Sequence, residues 1–295
     1  MSHSRAAEPR TLAEALDHGT RFLRDERRRT PRLDAEVLLA HVLGCSRTDL
    51  YAHGPDPLDP DRGAAFQGLL ERRREGVPIA HLVGWKEFYG RRFHVSPAVL
   101  IPRPETEFLA EAGLQALERD APTRPEVLEL CTGSGAVAIT VALEMPHARV
   151  WATDLSPEAL AVAEENARLH QVHDRVAFLQ GDLFEALPAG QRFDLILANP
   201  PYVGTERGPL PEEGVVRYEP AMALFAGPDG MEVLNRILAE APDWLVEGGT
   251  LALEVAAGQS EAVEAIMQER GFRDTGLVAD LQGLPRVVLG RWEEE

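Results

Sequence analysis

The chain has 295 residues, 44% hydrophobic and 26% charged, which excludes a mainly disordered state and provides apolar material for about two domains. No apolar run reaches the ~20 residues of a membrane-crossing helix and no signal-like segment opens the chain, so the expected location is the cytoplasm; Cys45 and Cys131 suit neither a disulfide framework nor structural zinc. The formal charge of −18 is uneven, with 16 basic and 14 acidic residues in 1–100 against 14 basic and 34 acidic in 101–295, a balance that argues against a stable nucleic-acid partner.

From Thr11 to about Gly76 apolar residues recur at helical spacing: Leu12, Leu16, Phe22 and Leu23, then Leu33, Val37, Leu38, Val42 and Leu43, then Phe66, Leu69 and Leu70. Three to five short helices are expected, with breaks at Thr30-Pro31 and at Gly54-Pro55-Asp56-Pro57, where prolines interrupt a helix. Arg21, Arg24, Arg27, Arg28, Arg29 and Arg32, with Arg72, Arg73 and Arg74, form either a solvated helix face or a docking surface for an acidic partner. Next, Trp85, Phe88 and Tyr89, then Phe93, Val95 and Val99, surround Gly90 and predict a β-hairpin linker.

Past Ile101 strands and helices alternate: a helix near 105–119, strand 127–131, a glycine-rich turn, helix 137–144, strand 149–154, helix 157–170, and strands 175–180 and 193–198. An irregular stretch precedes helix 230–244, strand 250–255, helix 260–270 and a terminal strand near 286–291. The alternation predicts a mostly parallel sheet covered by helices on both faces. The expected organisation is a helical domain over 1–83, the hairpin over 84–100 and an α/β domain over 101–295.

The first α/β strand passes through Glu129 and Leu130 into Cys131-Thr132-Gly133-Ser134-Gly135 and straight on into a helix. Glycines let the backbone turn sharply there and approach a ligand. Asp154 ends the next strand, 19 residues after Gly135, where a carboxylate can accept from two ribose hydroxyls. Capping the following helix is the other reading of Asp154, and Ser156 is an equally good cap. At the same sheet edge Gly181-Asp182-Leu183 either meets an adenine or simply turns the chain. NAD and S-adenosylmethionine both fit such an edge.

The choice falls to Asn199-Pro200-Pro201-Tyr202, at the end of an apolar strand. Two prolines remove two N–H donors and fix φ, so Pro200 offers a rigid carbonyl acceptor and the Asn199 side chain a second. Two convergent acceptors hold an NH2 group with its nitrogen aimed at a donor, while Tyr202 offers a flat face to a planar amide or base. An amide nitrogen is a weak nucleophile because its lone pair is delocalised. Acceptors on its hydrogens, opposite a sulfonium, ease charge build-up on nitrogen. The tetrapeptide therefore suits methyl transfer to a planar nitrogen and selects S-adenosylmethionine.

Together with segments 30–36, 76–84, 99–107, 218–220 and 280–286, these residues resemble the release-factor glutamine methyltransferases, the HemK family, over nearly the whole chain. The resemblance implies a Rossmann-like class I methyltransferase domain behind a helical domain that docks the release factor. It implies transfer of a methyl group from S-adenosylmethionine to the side-chain amide of the glutamine in the Gly-Gly-Gln motif of bacterial class I peptide chain release factors, modulating translation termination. By the same carry-over Cys131, Thr132, Gly133, Ser134, Gly135, Asp154, Asp182, Leu183 and Asn199 contact the cofactor; the sequence itself offers no CxxC, HExxH or clustered His/Cys pattern, so no metal is expected. Asn199, Pro200, Pro201 and Tyr202 grip the glutamine, Asn199 and Pro200 as catalytic residues. Glu129 stands where the family usually has Asp, Leu183 where some relatives carry an aromatic, and Leu284-Pro285 where a charged pair is usual. The same tetrapeptide occurs in adenine-N6 methyltransferases of DNA or RNA, the alternative reading; the acidic second part and the lack of an inserted basic segment weigh against it.

Overall fold

Helical spacing in the first part becomes α1 (Leu12–Leu23), α2 (Pro31–Leu43), α3 (Arg47–Ala52), α4 (Pro60–Arg74) and α5 (Ile79–Val83). They belong to one unit, Met1–Gly84, and the remainder, Trp85–Glu295, makes a second. The structure is a computed structural model that describes residues 9–24, 30–120, 122–206 and 213–294.

Side-chain caps set where these helices begin. Thr11 accepts from the Glu14 amide, Ser46 and Asp49 form a reciprocal capping box, and Asp59 accepts from the Asp61 and Arg62 amides. Leu16, Leu23, Leu38, Leu39, Phe66 and Leu70 are buried among the helices. Two of the arginines hold buried carboxylates: Arg73 Nε donates to Asp34 at 2.8 Å and Arg32 Nε to Glu36 at 3.0 Å. Arg74 lies 4.3 Å over the Phe22 ring. Arg32, Arg73 and Arg74 thus serve this unit's own packing, while Arg27, Arg28 and Arg29 lie outside the described residues.

The second unit opens with an antiparallel hairpin, β1 (Trp85–Phe88) and β2 (Arg91–His94). Then follow α6 (Thr106–Asp120), β3 (Glu126–Leu130), α7 (Ala136–Glu144), β4 (Arg149–Asp154), α8 (Pro157–Leu169), β5 (Val176–Gln180) and β6 (Phe193–Ala198). The last part holds α9 (Glu213–Tyr218), α10 (Glu232–Glu240), β7 (Leu245–Glu254), α11 (Ser260–Glu269), β8 (Phe272–Ala279) and β9 (Pro285–Trp292). The helix expected over 230–244 stops at Glu240, and Ala241–Trp244 tightens to a 3-10 turn that contains Pro242.

Seven strands form one sheet in the order β5-β4-β3-β6-β7-β9-β8. β5 through β7 pair in parallel, and β9 and β8 are antiparallel additions at one edge. The sheet is packed on both faces, as β6 illustrates: Leu195 and Leu197 join one apolar cluster and Ile196 and Ala198 the other. The chain winds outward from β3 through β4 to β5, then returns to place β6 on the other side of β3. That reversal leaves a crevice at the carboxyl ends of β3 and β6, where open α/β sheets hold ligands. The architecture is Rossmann-like.

Candidate functional site

A cavity of about 300 Å³ lies at the carboxyl ends of β3, β4, β5 and β6. Its wall includes Cys131, Thr132, Gly133 and Ser134 after β3, Asp154 on β4, Asp182 and Leu183 after β5, and Asn199 and Pro201 after β6. Gly135, Pro200 and Tyr202 are not part of that wall. For Gly135 the reason is packing: its φ is +77°, and a Cβ would sit 3.0 Å from Ile139 Cδ1 and 3.1 Å from Ala163 Cβ. Glycine is needed there to start α7 close against α8.

Asp154 and Glu129 organise the turn. Asp154 Oδ2 accepts from the Gly133 amide at 2.8 Å and Oδ1 from the Ser156 amide at 2.9 Å. Ser156 caps α8 by accepting from the Ala159 amide at 3.1 Å, so Asp154 is not the cap and instead ties the β3 and β4 loops together at the cavity wall. Burial pushes its carboxyl above the ordinary range, against the amides that favour the charged form. Glu129, 2% exposed, accepts from the Thr132 hydroxyl and, at 2.9 Å, from the Ala138 amide in the first turn of α7. Burial raises it to about 8. The extra methylene of Glu relative to Asp goes into reaching both the loop and the helix start.

Asp182 pairs with Arg236 of α10 at 3.0 Å, and Arg236 also lines the cavity. Leu155, Ala159 and Leu183 add apolar wall beside the carboxylates. The set suits a ligand with a positive centre, neighbouring hydroxyls and a flat ring. S-adenosylmethionine has all three, so the residues present fit it.

On the β6 side, Asn199 Nδ2 donates to Thr106 Oγ1 at 3.1 Å, and Oδ1 accepts no hydrogen bond from any described residue. The Tyr202 hydroxyl donates to Glu254 Oε1 at 3.1 Å, while its carbonyl accepts from Gln259 Nε2 at 3.2 Å. Burial, with Glu254 beside it, holds the Tyr202 phenol protonated well above its ordinary range. The segment beyond is fastened to Phe225 and its neighbours: the Val203 amide donates to the Leu224 carbonyl at 2.8 Å, and the Ala226 amide to the Val203 carbonyl at 3.0 Å.

Two further segments contribute wall. Glu219, buried, accepts from the Ile101 amide at 2.9 Å and from Arg103 Nη2 at 2.7 Å. The clasp joins 99–107 to 218–220, and from these stretches Val99, Leu100, Pro102, Arg103, Thr106 and Pro220 line the cavity. Arg103, Thr106, Glu219, Arg236 and Glu254 went unassigned in the sequence. Arg103, Thr106 and Glu219 sit in the very runs that carry the family likeness, but Arg103 and Glu219 are 116 residues apart, and nothing local announces their pairing. Arg236 and Glu254 carry no signal beyond their helix and strand.

Residues 14–84 match the family model of the PrmC N-terminal domain, and residues 106–208 that of the methyltransferase small domain. The release factor glutamine methyltransferase of Bordetella pertussis is 47% identical over 260 residues, covering 88% of this chain and 94% of that protein. The protein of the same name from Koribacter versatilis is 41% identical over 281 residues, covering 95% and 98%. Among solved structures, the hMettl16 catalytic domain superposes with a TM-score of 0.55 at 12% identity over 77% of this chain and 83% of its own. The T. thermophilus 16S rRNA methyltransferase RsmC, solved with AdoMet and guanosine, gives 0.51 at 20% identity over 71% and 50%. These two bear on the fold alone. The relatives that share sequence from end to end decide the rest: the chain belongs to the release factor glutamine methyltransferase family.

Proposed function

We infer that this chain methylates the side-chain amide nitrogen of the glutamine in the Gly-Gly-Gln motif of class I peptide chain release factors, with S-adenosylmethionine as donor. Family membership supports the reaction, and one observation supports the roles of the residues. Asn199 lies on the wall shared with the β3 and β4 loops and keeps its Oδ1 unbonded while Nδ2 is held by Thr106.

Bound S-adenosylmethionine supplies an electrophilic methyl on a positive sulfur. Asp154 and Asp182 would provide carboxylate oxygens for its hydroxyls and positive groups, and Leu183 would provide an apolar surface for its ring. Asn199 Oδ1 and the Pro200 carbonyl accept the two N–H bonds of the substrate amide. Methyl transfer would break the methyl C–S bond and leave a neutral thioether; as positive charge passes to the amide nitrogen, the two fixed acceptors stabilise it until one N–H proton is released to water. Pro200 has no N–H to compete for the site. We place the chain in the cytoplasm with the release factor as its partner and with no stable nucleic-acid or membrane partner; the −18 charge supports the exclusion of nucleic acid. Among the described residues no helix is long and apolar enough to cross a membrane.

The test is a transfer assay with labelled S-adenosylmethionine that offers release factor, its variant lacking the Gly-Gly-Gln glutamine, and unmethylated DNA side by side. Label is expected on the intact release factor alone. Label on DNA would replace this reading with the adenine one. Asn199→Ala is expected to cut turnover by about a hundredfold while cofactor binding, measured by calorimetry, persists.

A further inference from the structure

We propose that Glu254, acting through the Thr106 hydroxyl, is a positioning residue that fixes which way the Asn199 amide faces and so makes its oxygen the group presented to substrate. The proposal rests on the substrate-gripping role of Asn199 argued above and adds to it the device that sets the polarity of that grip.

The three residues converge from distant parts of the chain. Thr106 opens α6, Asn199 follows β6, and Glu254 ends β7, the strand beside β6. Thr106 is 6% and Glu254 1% exposed, so water does little of their hydrogen bonding. A threonine hydroxyl has one proton to donate and lone pairs that accept. Asn199 Nδ2 donates to Thr106 Oγ1 at 3.1 Å, which uses the acceptor side. The proton of Thr106 remains, and no described oxygen lies at full hydrogen-bond geometry to receive it.

Glu254 has the opposite need. Its Oε1 takes the Tyr202 hydroxyl at 3.1 Å, and its Oε2 is buried with no partner at full hydrogen-bond geometry. Thr106 is nevertheless the strongest of the polar neighbours that favour the charged form of this carboxyl. The parallel register of β6 and β7, which pairs Ala198 with Leu253, sets Glu254 beside Asn199 and its partner Thr106, so a donor and an acceptor that both lack a partner share one buried corner. Once the Thr106 proton points at Glu254, the hydroxyl can only accept from Asn199. A reversed Asn199 would then set oxygen against oxygen with no proton between them, which is disfavoured in a buried site. Nδ2 is thus kept on Thr106, and Oδ1 is left for the substrate NH2. Without the carboxylate, Thr106 can turn its proton to Asn199 Oδ1, and the flipped amide would present N–H groups to the N–H groups of the substrate. Glu254 also holds Tyr202, so one carboxyl secures both ends of the 199–202 segment.

The experiment measures kcat and KM for release factor, and the calorimetric Kd of S-adenosylhomocysteine, in the full-length protein and in Thr106→Val, Thr106→Ser, Glu254→Gln and Asn199→Ala. Thr106→Val keeps the shape and loses the hydroxyl. Its kcat is expected to fall by at least about tenfold with Kd within about twofold, and Thr106→Ser is expected to restore kcat to within about threefold. Glu254→Gln, which can turn an NH2 toward Thr106, is expected to lie between. Full kcat in Thr106→Val while Asn199→Ala is inactive would overturn the relay and leave the grip standing. Equal losses in Thr106→Val and Thr106→Ser would overturn it as well, by assigning Thr106 a packing role. If Asn199→Ala itself keeps full kcat, the grip fails first and the relay with it.

Discussion

Glu129 shows how far burial can move a single group. Its carboxyl lies within the sheet, and desolvation outweighs the Thr132 and Ala138 hydrogen bonds to raise it from 4.5 to about 8. An acid whose folded pKa exceeds its unfolded value binds more protons in the folded state. Its contribution to stability is therefore complete below about 4.5 and is lost as pH rises through about 8. Glu254, raised to about 7, acts in the same direction over a narrower window. The thermal midpoint is expected to fall between pH 5 and pH 8.5. Glu129→Gln keeps an oxygen for Thr132 and Ala138 but cannot ionise, so the fall should become shallower. An unchanged slope in scanning calorimetry would place the pH dependence on other groups. The sequence marks Glu129 only as a departure from the usual Asp; that its carboxyl serves the first turn of α7 depends on how the turn after β3 folds back, which residue type alone does not show.

At the scale of elements, β6 and its tetrapeptide were readable because both faces of the strand are buried, which makes a continuous apolar run, and because two prolines end it abruptly. β8 was not. Only Phe272 of its eight residues is buried, Arg273 and Asp274 are exposed, and the register slips between Arg273 and Gly276, so the alternation that betrays a strand is missing. Distance in the chain hides another part of the site. Gly230, 28 residues past Tyr202, has φ +79°, and a Cβ there would stand 2.2 Å from the Tyr202 carbonyl oxygen. Backbone is the obstacle, so no rotamer change relieves it. Gly230→Ala is expected to cost about 1–3 kcal/mol from its left-handed φ alone, with the displaced 199–202 segment lowering kcat in addition. Urea denaturation and a turnover assay read the two effects separately. Wild-type turnover in this variant would mean that the segment tolerates displacement.

Over the whole molecule, the candidate site lies within one of the two units. Every residue of the cavity wall belongs to Trp85–Glu295, which also holds the complete seven-stranded sheet. Met1–Gly84 has its own buried leucines and its own ion pairs, and it matches a separate family model. Cofactor binding should therefore need only the second unit, and the role we propose for the first is recognition of the protein substrate. A chain of residues 85–295 is expected to bind S-adenosylmethionine with a Kd within about threefold of the full chain and to methylate a short Gly-Gly-Gln peptide equally well. Toward intact release factor its kcat/KM should fall by at least about tenfold, equivalent to ~1.4 kcal/mol of lost docking energy. Peptide and protein together separate the possibilities. Equal retention on both would strip the helical unit of a docking role, while loss on both with an intact Kd would show that it supports the reacting geometry. Loss on the protein alone would place recognition in the helices, and the arginines not tied to Asp34, Glu36 or Phe22 would be the first to reverse in charge.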